Sequence, residues 1–202
     1  MVKTMIKKSI SDLGKRKART IFAILTTALS IGALGLLAVM PLMNETMDSE
    51  IKDSNLYDVQ LQLSNVELNS THIENLEKID NVRSVELKSM FNTRMYIGER
   101  RNDVMIVGIE NFEVQSVDRV IKDSGQYPTQ NELLIESGNI RSSLYEGNSG
   151  DNVQIYDSTG DIEEFPISGE GHCLSFSELP TWGTAVFYTD IQTVHELGNT
   201  TG

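Results

Sequence analysis

An α+β chain is expected here: one N-terminal transmembrane helix, then a two-lobed mixed α/β domain on the extracytoplasmic side. Three observations carry that expectation. Residues 20–44 hold no charged side chain, Arg19 being the last charge before them and Glu45 the first after. Charge is segregated, since residues 1–19 carry seven Lys/Arg and one acid, Asp12, for +6, while the whole chain is −12, which leaves −18 for residues 20–202. From Tyr57 onward, apolar residues recur with the periods of strands and helices, punctuated by caps and turns.

The apolar stretch from Thr20 to Met43 sets the frame. As a helix, the 25 uncharged residues would run roughly 37 Å, against a hydrocarbon core of about 30 Å. A soluble core helix of this length needs a polar face, and this one offers only Thr26, Thr27 and Ser30. A cleaved signal peptide has a shorter apolar region, about 7–15 residues, closing on a small-x-small site. Here the end reads Leu37-Ala38-Val39-Met40-Pro41, and the bulky Met40 spoils that site. A retained anchor, 20–43, follows. Basic flanks stay in the cytoplasm, which places Lys15, Arg16, Lys17 and Arg19 inside and the acidic bulk outside. Ala28, Gly32 and Gly35 form one small-residue stripe along the span. Such a stripe lets a second helix approach closely, although Gly and Ala are also simply common in membrane helices.

Residues 1–19 form a basic cytoplasmic segment in which Val2, Ile6, Ile10 and Leu13 fall at helical spacing among lysines. It reads as an amphipathic helix on the inner membrane surface or against a cytoplasmic partner. Residues 44–56 are polar and continue the helix outward as a stalk. The first lobe, 57–120, reads β-α-β-β. Tyr57, Val59, Leu61 and Leu63 alternate as a half-buried strand. Thr71-His72-Ile73-Glu74 is a capping box for a short helix with Ile73, Leu76 and Ile79 on its apolar side. Asn81 ends that helix, and strands follow over 82–96 and 104–109, with 98–102 as the turn. The second lobe, 121–202, is β-rich. It holds a turn at Gly125–Pro128, a strand at Glu132–Ile135 and a brief helix with Ile140 and Leu144. A hairpin of 151–156 with 164–168 around Ser158-Thr159-Gly160 comes next, then a strand at Ala185–Tyr188. Asp190 caps a last helix with Ile191, Val194 and Leu197 inward and Gly198 as its stop.

About 158 residues remain after the span, enough for a folded domain or two small lobes. So acidic an outer part argues against nucleic acid and anionic lipid headgroups as its partners. No Asp-x-Asp-x-Asp loop marks a calcium site, so the acidity reads as a solvated surface. Cys173 is the only cysteine, so no internal disulfide forms, which fits a prokaryotic surface. Asn44, Asn69 and Asn199 begin Asn-x-Ser/Thr sequons, relevant only in a glycosylating host.

The order of these features resembles the N-terminal half of FtsX-like ABC-transporter permeases, the group with the MacB-type periplasmic core domain. Three segments carry the resemblance. Arg19-Thr20 and Ile21 to Gly32 are similar to that family's first membrane helix, entered through a basic stretch ending in Arg-Thr. The run from Gly125 through Pro128, Glu132-Leu133-Leu134-Ile135, Gly150-Asp151-Asn152-Val153 and Phe165-Pro166-Ile167-Ser168-Gly169 resembles the pattern gly-x-x-pro, asn-glu-ile-val-ile, gly-asp-x-val, phe-x-ile-x-gly. Tyr57-Asp58-Val59 with Asn81-Val82 to Val85 is a weaker third match. The resemblance implies a permease subunit whose outer domain follows its first helix, three more helices after that domain, a cytoplasmic ABC ATPase as partner, and a second permease copy. The 202 residues end before any further helices, so a fragment, a truncated product and a single-span relative all fit. The Gly169–Leu174 stretch matches nothing in the family pattern.

Residues for chemistry are scarce. No Gly-x-x-x-x-Gly-Lys-Ser/Thr run exists, so no Walker A loop binds ATP, and no cofactor or metal is expected. His72, His172 and His195 are scattered. His172 beside Cys173 lacks both the extra ligands of a metal site and the orienting partner of a thiolate pair. It reads as a loop histidine next to a half-buried cysteine. Trp182, after Pro180, either covers a core edge or anchors a partner. The expectation is therefore a non-enzymatic, membrane-anchored subunit that couples ATPase-driven helix motion to an event outside. The alternative is a single-span tethered interaction or sensor domain that needs no ATPase.

Overall fold

The computed structural model describes residues 17–63, 68, 70–97, 100–145 and 147–199. The chain divides into two compact units, Met1–Ser49 and Glu50–Gly202.

In the first unit the described residues form one helix, α1 (Lys17–Ser54), whose last turn belongs to the second. Its 38 residues rise about 57 Å, so the predicted stalk is helical to Ser54. Phe22, Leu29, Ile31, Leu34 and Leu37 are each about two-thirds exposed or more. The few polar groups are satisfied internally: Thr26 Oγ1 donates to Phe22 O at 3.0 Å and Ser30 Oγ to Thr26 O at 2.8 Å. Among the described residues, no helix is long and apolar enough to cross a membrane. The span from Thr20 to Met43 is read from the full sequence, whose 20–44 stretch lies within α1.

The second unit is built on seven strands: β1 (Lys88–Ile97), β2 (Arg100–Ile109), β3 (Ile121–Gly125), β4 (Leu133–Glu136), β5 (Asn152–Tyr156), β6 (Ile162–His172) and β7 (Thr184–Asp190). Their order is β3-β6-β4-β7-β2-β1-β5, with a further β5–β6 pairing. That pairing closes β1, β2, β7, β4, β6 and β5 into a ring and leaves β3 attached beside it. Closure removes sheet edges that would otherwise invite foreign strands. Among the described residues, three helices accompany the strands, α2 (Ser70–Glu77), α3 (Ser137–Arg141) and α4 (Ile191–Gly198), plus a 3₁₀ turn at Leu179–Trp182.

Strand alternation sorts the core into two clusters. Every ring strand sends side chains to the first: Met95, Val104, Ile106, Leu133, Ile135, Val153, Ile155, Phe165, Ile167, Ala185 and Phe187. Val194 and Leu197 of α4 join them, as the helix periodicity predicts. Asp190 caps α4 by accepting from Gln192 N and Thr193 N, and the left-handed stop is Asn199, one residue past the predicted Gly198. The second cluster, Val107, Ile109, Leu134, Val186 and Tyr188, lies on the opposite face of β2, β7 and β4. Phe112, Val120, Cys173 and Phe176 from two loops cover it. β4 is thus buried on both faces.

Several expectations are corrected. Tyr57–Leu63 forms no strand; Val59 and Leu61 are 74% and 72% exposed, because the alternation finds no partner among the described strands. The first strand of the 82–96 segment begins at Lys88. The boundary near residue 120 separates no sheets, since β1 and β2 lie between β5 and β7. β3 was not predicted, and β6 runs on through Gly169–His172. The inner-surface segment with Lys15 and Arg16, and the sequon at Asn69, fall outside the described residues.

β6 is the strand that makes closure possible. One edge pairs antiparallel with β5 over 162–166 and then with β3 over 169–172; the other pairs parallel with β4. Where it changes partner, Gly169 sits opposite Gly125. A Cβ on Gly169 would lie inside van der Waals contact of Ser124 O and 3.0 Å from Gln126 N, and Gly125 has φ +71. Both positions therefore require glycine. Gly169→Ala is expected to destabilise the chain by about 2–3 kcal/mol. Gly160→Ala, where no atom lies within 4 Å and only φ +90 is strained, should cost about 1 kcal/mol. Urea denaturation of the two variants compares them; equal costs would remove β6 crowding as the cause.

Candidate functional site

Of the three segments that carried the family resemblance, the second, from Gly125 to Gly169, converges on β6. Gly125 opposes Gly169, and Gln126 N donates to Ser168 O at 3.1 Å. Leu133–Glu136 runs parallel beside Ile167–Gly171. Gly150 N donates to Ile167 O and Ile167 N to Asp151 O, both at 2.8 Å. The pattern is thus one packing constellation rather than four separate turns.

A buried polar cluster borders the second core cluster. Glu136, fully buried at the end of β4, accepts from Tyr188 Oη, from Cys173 N at 3.0 Å and from Gly138 N at 3.2 Å, the last capping α3. Burial raises its carboxyl pKa above the ordinary 4.5, and the hydrogen bonds from Tyr188, Gly138 and Cys173 oppose that rise. Desolvation likewise pushes the Tyr188 hydroxyl well up, helped by the adjacent Glu136 charge. Asn139 extends the sheet with its side chain, giving Nδ2 to Val186 O at 2.6 Å and taking Val186 N at 2.9 Å.

Next to this cluster lies the loop of residues 115–119. Asp118, 4% exposed, pairs with Lys88 Nζ at 2.7 Å and accepts from Ser175 Oγ and, at 3.4 Å, from Cys173 Sγ. Lys88 Nζ also donates to Asp118 O and lies 5.8 Å from the centroid of Phe176. The Glu86 carboxylate accepts from Ser116 N at 2.7 Å and Val117 N at 2.9 Å. Gln115 ties the loop base, accepting from Val120 N at 2.8 Å and donating to Phe112 O at 2.9 Å.

His172 and Cys173 do not act together. His172 Nδ1 meets Asp123 Oδ1 at 2.9 Å, because a bulge between Lys122 and Ser124 frees Asp123 from the ladder, and Ser137 Oγ donates to the same carboxylate at 2.5 Å. Cys173 is fully buried, and burial pushes its thiol up to about 12, so it stays protonated and unreactive at neutral pH. No group of three or more His, Cys, Asp or Glu suited to a metal occurs among the described residues.

Of the residues singled out by sequence, Ala28, Gly32 and Gly35 lie along exposed helix, with open space where side chains at Gly32 and Gly35 would be. Lys17 and Arg19 open α1. Trp182 ends the 3₁₀ turn 75% exposed, so it does not cover the core edge. The Glu86–Lys88–Asp118 network is not legible in the sequence, since Asp118 lies thirty residues from Lys88 and the three belong to no motif.

No family model and no curated protein matches the chain. Among solved structures it is similar to the extracellular domain of the noncanonical ABC-type transporter YknZ from Gram-positive bacteria, at 13% identity and TM-score 0.42, covering 64% of this chain and 65% of that one. It is also similar to the periplasmic region of MacB from Actinobacillus actinomycetemcomitans, at 12% identity and TM-score 0.43, covering 67% and 61%. The chain spans less than two thirds of either structure's length.

The Glu136 site sets a pH dependence. Because its folded pKa lies above the unfolded one, its contribution is most favourable below about 4.5 and is lost as pH rises through the raised value. Glu136→Gln should remove that part of the slope. Urea midpoints of both proteins between pH 4 and pH 8 measure it, and parallel profiles would show that Glu136 does not titrate with folding.

Proposed function

We propose that the chain is a membrane subunit, or the N-terminal part of one, of an ABC-type export or mechanotransmission system. In this reading α1 crosses the membrane through residues 20–43 with its N-terminus in the cytoplasm. The barrel stands outside and relays ATPase-driven helix motion to a substrate or partner there. The observation that carries it is the convergence of the permease-like segments, from Gly125 to Gly169, on one strand: a pattern spread over some forty residues makes physical sense as a unit. The uncharged 20–44 stretch with its basic flank supplies the membrane half of the argument.

The partners follow from the same reading. A cytoplasmic ATPase meets residues 1–19, membrane lipid surrounds the span, and a second permease copy packs on the Ala28, Gly32 and Gly35 stripe. The subunit itself catalyses nothing; the energy comes from the partner's ATP, and nucleic acid plays no part. A tethered interaction domain is the second reading, favoured by one observation, the exposure of Trp182 on a turn tied by Gly183 N to Pro180 O at 3.2 Å.

Purification from native membranes in mild detergent is expected to bring down an ATPase with a Walker A loop. Charge reversal at Lys15, Arg16, Lys17 and Arg19 should reduce the yield of that ATPase at least tenfold. Recovery of the subunit free of any ATPase under all gentle conditions would leave the tethered domain as the better account.

A further inference from the structure

The C-terminal end of a helix leaves carbonyls without intrahelical partners, and most helices satisfy them locally. At the end of α1, Ser54 Oγ and Asn55 N cap Ile51 O and Lys52 O locally, at 3.2 and 3.3 Å, but the last two carbonyls are satisfied from a distant loop. Arg119 N donates to Ser54 O at 2.7 Å and Asp118 N to Asn55 O at 2.8 Å. Asn55 returns its side-chain amide to Ser116 O, 61 residues along the chain. Ser54 is only 2% exposed, although Asp53 and Asn55 on either side of it are exposed. Asn55 and Asp118 both adopt left-handed backbone, at φ +48 and +50, which turns their peptide groups toward one another.

The receiving loop is itself held from three directions. Glu86, just before β1, takes two of its amides; Lys88 on β1 pairs with Asp118; and Ser175 and Cys173, just after β6, bond the same carboxylate. Side-chain exposures of 13% for Lys88 and 6% for Asp118 set a half-buried ammonium against a buried carboxylate, and removing the lysine alone would leave that carboxylate without its counter-charge.

We infer that residues 115–119 form a socket for the exit of α1, latched by the Lys88–Asp118 pair, and that this joint passes displacement of the helix to β1 and β6. The inference deepens the transport reading and rests on it for its purpose, since a tethered domain has no need of a stiff joint. Lys88 and Asp118 are positioning residues within it. Opening the latch frees the loop amides from Ser54 and Asn55 and leaves the ring intact.

The test is hydrogen exchange on the full chain in detergent, comparing the native protein with the double variant Lys88→Met, Asp118→Asn. The double change removes both charges together, and asparagine tolerates left-handed backbone. Exchange in segments 50–56 and 116–121 is expected to accelerate about tenfold or more, while amides of β2 and β7 keep their rates. Unchanged exchange in the two segments overturns the socket. Acceleration spread equally over β2 and β7 also overturns it, because the pair would then be an ordinary part of the core. Asn55→Gly, which keeps the backbone and loses only the amide to Ser116, should show a smaller rise confined to the same segments. A rise elsewhere counts against the joint. Because the chain alone is measured, failure here leaves the ATPase partnership standing, and absence of an ATPase leaves the exchange result standing.

Discussion

Closure of the strand ring through β6 is the constraint on which the folded unit depends. One strand must leave β5, accept β3 on the same edge and keep β4 on the other. Eleven residues manage this only by shedding side chains at the crossing, at Gly169 and Gly171, and by admitting a register shift against each of β3 and β4. The consequences spread outward. The shift on β3 turns Asp123 toward His172, and the parallel run with β4 delivers Glu136 to the loop after β6. The inner cluster takes side chains from all six ring strands, so an opening at β6 would expose it entire.

The same strand explains why a motif pattern without one specific residue can still be informative. Gly-x-x-Pro, Gly-Asp-x-Val and Phe-x-Ile-x-Gly are each commonplace. In the fold they are the two sides of one backbone crossing and the turn that feeds it, joined by Gly150 N to Ile167 O and Gln126 N to Ser168 O. What they specify is geometry, which is why they carry fold and say nothing of a substrate.

Legibility in the sequence followed the range of the interaction. α4 was readable because Asp190, Val194 and Leu197 lie within two turns of one another, β5 because its apolar residues alternate, and β7 because Ala185–Tyr188 is one continuous apolar run. β3 was invisible: Ile121-Lys122-Asp123-Ser124-Gly125 has one half-buried apolar residue and is held by backbone pairing to β6. Tyr57–Leu63 failed in the opposite direction, since period-two alternation states a preference but a strand also needs a neighbour. Of the site residues, Trp182 was legible as a loop aromatic. The Lys88–Asp118 latch was not, because two ordinary surface-type residues become a partly buried pair only through a contact thirty residues apart in sequence.

On the proposed topology, the barrel is the outer domain of a membrane subunit whose N-terminus lies in the cytoplasm. The chain offers a clean background for testing it, because its single cysteine is buried and protonated. Cysteines introduced one at a time as Ser9→Cys and Thr181→Cys can be probed with a membrane-impermeant maleimide in intact bacterial cells. The account predicts that Thr181→Cys labels in intact cells and that Ser9→Cys labels only after lysis. Labelling of Ser9→Cys in intact cells, or of Thr181→Cys only after lysis, would contradict it.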